Sequence, residues 1–244
     1  MRSLSAQNIL RAWEVGQLQH PIDRALTLLA FAHPEKVPSE LVSLSIGQRD
    51  GYLLTLREQT LGSKLDGFTE CPRCHERLEF DLDISAIRFV SPIQSSQSDY
   101  SLAVEGFDLR FRLPNSQDLA SIVGCQDADT ARLGLIERCL LEVSYKGKPV
   151  PSHELPEAAI AQLTERIVEY DPQAEVLIPL TCAACGHAWS TVFDIVDFFW
   201  TELSALAQRL LLEVHLLAQT YGWREADILS MSAIRRQYYL NLMG

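Results

Sequence analysis

Gly67-Phe68-Thr69-Glu70-Cys71-Pro72-Arg73-Cys74-His75 and Thr181-Cys182-Ala183-Ala184-Cys185-Gly186-His187 decide the reading of this chain. Each stretch holds a Cys-x-x-Cys pair whose two thiols reach one ion. Two such pairs supply the four soft ligands that tetrahedral zinc prefers. Between Cys74 and Cys182 lie 107 residues, so a shared ion ties remote parts of the chain together. Alternating polar and apolar residues follow the first pair, from Arg77 to Ile84. A short extended run, Val176 to Thr181, precedes the second pair, and Trp189 to Ile195 leaves it as a strand. This layout predicts a zinc ribbon, with Cys71, Cys74, Cys182 and Cys185 holding one structural zinc ion.

Other readings of the cysteines are weaker. A redox Cys-x-x-Cys pair opens a helix, whose N-terminus lowers the pKa of the first thiol, and here strands follow both pairs. Six cysteines in 244 residues, four of them paired in this way, suit a reducing compartment rather than a disulfide framework. Gly186 fits a knuckle position that needs positive φ, which His75 tolerates less well. His75 and His187 adjoin thiols and read as exposed neighbours, or as alternative ligands in place of one thiol. Four cysteines close the site, whereas a catalytic zinc keeps an open position. Cys125 and Cys139 read as packed thiols in helical stretches.

The composition is that of an ordinary globular protein, with 47 % apolar and 22 % charged residues. No apolar run approaches the roughly 20 residues that span a bilayer, and the start lacks a secretory signal pattern. The expected location is the cytoplasm. The net charge is −11, and residues 151–200 contribute −7 with Arg166 as their one base. That stretch is a solvated face or a docking surface for a basic partner. A basic face for nucleic acid is hard to assemble from this chain.

Working outward, residues 6–33 read as helix, with Ile9, Leu10, Trp13 and Leu18 on one stripe and Pro21 as a break or first-turn residue. Ser39 is expected to cap a helix carrying Leu41, and Gly47 to Glu58 form another. Gly62 and Gly67 are expected to end this helical part. Ser91 to Tyr100 reads as a polar linker or exposed loop. A hairpin from Leu102 to Leu113 turns near Glu105-Gly106. Asn115 or Ser116 caps the next helix, and Thr130 to Glu142 forms another. Val143 to Val150 is a short hairpin, and Leu155 to Tyr170 an amphipathic helix. The longest helix runs from about Val196 to Thr220, breaks at Tyr221-Gly222-Trp223, and is followed by short helices near Glu225–Leu229 and Ser232–Leu242.

The expected fold is therefore α+β and mainly helical, with a zinc-ribbon β module formed by two distant knuckles and a small inserted α/β segment. Its divisions are 1–66 (N-terminal helical), 67–90 (first half of the ribbon), 91–175 (inserted hairpin and helices), 176–195 (second half) and 196–244 (C-terminal helical). No nucleophile, phosphate-loop or metalloprotease motif occurs, so the chain reads as non-enzymatic, with no small-molecule substrate. His215 reads as a packed core histidine. Arg235, Arg236, Tyr238 and Tyr239 crowd the last helix. They either close the fold or form a docking handle, since Arg and Tyr are common interface anchors.

Several segments occur together in a recognisable order. They are Leu44-Ser45-Ile46-Gly47-Gln48-Arg49-Asp50, Phe111 through Leu119, Asp171-Pro172-Gln173-Ala174-Glu175 and Cys182 through Ile195. Glu213 through Ala218, Tyr221 through Glu225, Ile228-Leu229 and Arg235-Arg236 complete the series. The chain thereby resembles the baseplate hub assembly chaperones of T-even-type contractile phages, and the longer Cys-x-x-Cys-bearing relatives in phage-tail-like contractile injection systems. The resemblance spans nearly the whole chain and is strongest after residue 170. It implies a non-enzymatic assembly factor whose partners are baseplate hub or spike proteins, with no nucleic acid or membrane partner. His75 departs from the usual glycine after the knuckle. The alternative is a zinc-ribbon nucleic-acid-binding or transcription-related module.

Overall fold

The computed structural model describes residues 1–89 and 99–243. In chain order, α1 (Ala6–Gly16), α2 (Pro21–Ala32), α3 (Pro38–Val42) and α4 (Ile46–Leu61) precede the hairpin β1 (Lys64–Glu70) and β2 (Arg77–Asp83). The short α5 (Ile84–Ile87) leads toward β3 (Tyr100–Val104), β4 (Phe107–Phe111), α6 (Ser116–Ile122) and α7 (Ala128–Cys139). β5 (Leu140–Tyr145), β6 (Lys148–Pro149) and α8 (Glu157–Tyr170) follow. A second long hairpin, β7 (Val176–Thr181) and β8 (Ala188–Phe193), runs into α9 (Ile195–Tyr221), α10 (Glu225–Ser230) and α11 (Ala233–Asn241). The fold is α+β with small sheets.

The chain groups into two compact units. One comprises Met1–Lys36, Thr55–Gly62 and Asp194–Gly244, and the other Val37–Leu54 with Ser63–Phe193. The first is helical. Its core is the apolar face of α9, where Phe199, Leu203, Ala207, Leu210 and Leu217 are buried with Ile9 and Leu10 of α1 and Leu28 and Leu29 of α2. Gly16 lets α1 approach α9 closely, because a Cβ there would lie 2.2 Å from the Trp200 ring. Arg24 stacks over the same ring at 4.6 Å and donates to the Gly16 carbonyl. Buried Arg57 grips Glu202 with two hydrogen bonds, 2.9 and 2.6 Å, from the same guanidinium. Gly222, at φ 68°, closes α9 in the left-handed conformation that glycine adopts without steric cost.

In the second unit, a four-stranded antiparallel sheet in the order β3-β4-β5-β6 packs on α8. Tyr100, Val104, Leu109, Phe111, Ile136, Leu155, Ala159 and Leu163 form the core. The hairpins β1–β2 and β7–β8 are each two-stranded and antiparallel. Along β1 and β2 exposed and covered residues alternate, as period-two patterning requires.

Several expectations are corrected. Val37, not Ser39, caps α3, because Pro38 takes the first helical position and the Glu40 carboxylate accepts from the Val37 N–H. Gly62 ends α4, but Gly67 lies inside β1, where the Phe80 ring packs over it. The helix expected to reach Glu142 stops at Cys139, and Leu140 is extended and pairs with Phe111. Ile195 belongs to α9 rather than to the strand before it. Leu18 is fully exposed because α1 ends before it. Cys125 sits in the connection between α6 and α7, and His215 is exposed on α9. The expected polar loop from Ser91 falls mostly outside the described residues, and its last member, Tyr100, opens β3.

Candidate metal centre

Cys71 and Cys74 lie at the turn of the first long hairpin, Cys182 and Cys185 at that of the second. Both turns are built alike. The Cys71 N–H donates to the Glu76 carbonyl and the His75 N–H to the Cys71 carbonyl, at 2.9 Å each. In the second turn the Cys182 N–H donates to His187 at 2.8 Å and the Gly186 N–H to Cys182 at 2.9 Å. The position after each second cysteine is left-handed, with φ 61° at His75 and 68° at Gly186. His75 thus takes the left-handed conformation that glycine adopts more readily, and the first turn keeps the form of the second.

The two turns bring all four thiols together, with every Sγ within 4.8 Å of the others. Cys71 Sγ stands 3.7 Å from Cys185 Sγ, and Cys74 Sγ 3.6 Å from Cys182 Sγ. A disulfide would need about 2.05 Å. A tetrahedral zinc with bonds of about 2.3 Å separates its sulfurs by about 3.8 Å, so the residues present fit such an ion. Cys71 and Cys182 are buried, and Cys74 is exposed. The quartet does not include His75 or His187. The His187 ring instead stacks on Trp189 at 5.9 Å.

The thiols differ in acidity. Burial raises the Cys71 thiol, but the Cys74 and Arg73 backbone N–H groups and the neighbouring thiols outweigh it and bring it to about 7. At Cys74 the Glu76 N–H pulls downward, yet Cys185, burial, Cys182 and Cys71 together push the thiol up to about 12. A cation relieves this competition by favouring the thiolate at every position.

A second polar cluster in the same unit went unassigned in the sequence. The Asp171 carboxylate accepts from the Gly47 N–H at 2.9 Å, and Ile46 donates to the Pro114 carbonyl. Arg112 and Arg138 both donate to Asp118, which also accepts from the Asn115 N–H. Gln173 bridges the Phe89 N–H and the Ile87 carbonyl. Three of the segments behind the family resemblance thus meet inside one unit.

Of the proposed docking residues, Arg236 is buried. It donates to Glu213 at 2.7 Å and to the Met231 carbonyl at 2.7 Å. Tyr239 packs edge-on against Trp223 at 4.8 Å. Arg235 and Tyr238 are exposed. No helix among the described residues is long and apolar enough to cross a membrane.

Fold and centre together define an α+β protein in which two remote hairpins share one four-thiol cluster able to hold a metal ion. The model of a family described as T4 bacteriophage base plate protein matches residues 27–200. The chain belongs to that family, and its role is therefore associated with the baseplate. No curated protein and no solved structure matches it.

Proposed function

We propose that the chain is a non-enzymatic assembly factor, a chaperone for the hub or spike of the baseplate in a contractile phage tail or phage-tail-like injection system. In this reading Cys71, Cys74, Cys182 and Cys185 hold one structural zinc, which cross-links the two hairpins into a ribbon. Membership of the baseplate family over residues 27–200 carries the proposal. The closed four-cysteine set supports a structural rather than a chemical role for the metal. The charge supports a protein partner over nucleic acid, because the larger unit holds −10 of the net −11.

The test removes the gene from a strain that produces the particle and counts complete baseplates by electron microscopy. Loss of hub or spike incorporation, restored by supplying the chain in trans, is expected. Normal particles in its absence overturn the proposal. Mass spectrometry of purified particles then tells a departing chaperone from a retained component.

A further inference from the structure

We propose that the outward face of α11 docks into an apolar, carboxylate-rimmed groove on a baseplate protein. This deepens the assembly-factor reading, on which it rests, by naming its contact surface. Among the described residues, the contacts that hold α11 fall on one side. Ser232 caps it, Arg236 is locked to Glu213 of α9, and Tyr239 is wedged among Tyr221 and Trp223. The other side carries Ile234, Tyr238 and Leu242, which are 85 %, 65 % and 62 % exposed. Their spacing of four and eight puts them in one row along the helix.

A fixed helix with such a row is the ligand half of helix-in-groove recognition. Its ordering cost is already met by the α9 contacts, so less binding energy is lost on association. Arg235 sets the occupant's charge. It is exposed, its guanidinium lies 5.8 Å from the Tyr239 ring, and no carboxylate pairs with it among the described residues. α11 contains no acidic residue. Pairing α11 with α11 of a second copy would bring cation to cation, whereas a carboxylate at the rim of a partner's groove satisfies the fork. The helix lies beyond the matched residues 27–200, and its surface is read from the exposure and spacing of Ile234, Tyr238 and Leu242.

The experiment measures binding of the purified zinc-loaded chain to each baseplate protein of the same particle, purified singly. Three variants accompany it: Ile234→Asp/Tyr238→Asp, Arg235→Glu, and Leu18→Asp as an exposed control on the same unit. Circular dichroism confirms that each is folded. The expected result is one partner bound by the wild type and the control, at least tenfold weaker binding by the double variant, and intermediate, less salt-sensitive binding by Arg235→Glu. Undiminished binding by the folded double variant overturns the α11 surface and leaves the assembly role standing. If the wild type binds none of the proteins, both readings fall. A dimer of the wild type in light scattering that the double variant abolishes makes the occupant a second copy and overturns the groove proposal.

Discussion

Asp118 shows how single residues hold the larger unit together. Its side chain is fully buried and accepts from two arginines and a backbone N–H. Burial raises its pKa, but Arg112, Asn115 and Arg138 more than compensate, so it lies below the ordinary carboxylate range. A depressed carboxylate contributes stability that is complete above its unfolded pKa, about 3.9, and is lost as pH falls through its folded value. Asp118→Asn keeps the shape but removes the charge, and is expected to cost about 2–3 kcal/mol at pH 7. Urea melts of both proteins should show that gap narrowing below pH 4. Acid release of any ion held by the four cysteines would be common to both chains and cancel in the difference. Gly47 makes a steric counterpart. A Cβ there would sit 2.1 Å from Asp171 Oδ1 and 3.0 Å from the Ala174 nitrogen. Gly47→Ala should destabilise by about 1–3 kcal/mol, as overpacking does. An unchanged thermal midpoint would show that the junction yields freely.

The two knuckles are one element used twice, with a single informative difference. Both place the residue after the second cysteine at positive φ, but one has His75 and the other Gly186. A non-glycine residue there carries strain of about 1 kcal/mol. His75→Gly is therefore expected to raise stability by about 0.5–1 kcal/mol, and Gly186→Ala to lower it by a similar amount, both read from melts of zinc-loaded protein. Equal effects of the same sign would contradict the shared geometry. The knuckles were legible in the sequence because cysteine spacing and strand alternation are local signals. Cys139-Leu140-Leu141-Glu142-Val143 was not, since its apolar run suits a helix or a strand equally. The open edge of β4 decides that case by offering Leu140 a ladder. The Gly47–Asp171 contact joins positions 124 apart, and no local pattern announces a pairing of that span. Leu18 fitted an apolar stripe by spacing, but α1 stops at Gly16 and releases it to solvent.

At the scale of the whole molecule, the four cysteines all fall within the unit of Val37–Leu54 and Ser63–Phe193. Among the described residues each long hairpin has two strands, an arrangement that is marginal in water without further support. A four-thiolate zinc can supply roughly 10–16 kcal/mol of apparent binding energy near neutral pH, comparable to the stability of a whole domain. The core of the helical unit, by contrast, is built from α1, α2 and α9 and uses none of the four ligands. Chelation should therefore act unevenly. Elemental analysis is expected to find about one zinc per chain, falling to none in Cys74→Ser/Cys185→Ser. Chelation or that double substitution should open β1–β2 and β7–β8 to hydrogen exchange, while the amides of α9 around Leu203 and Leu210 stay protected. The far-UV signal at 222 nm should drop only in part, and a second melting transition should separate from the first. A single cooperative melt that shifts as a whole would mean that the metal stabilises both units equally. A metal-free protein with both hairpins fully protected would mean that packing of the hairpins, not an ion, brings the thiols together.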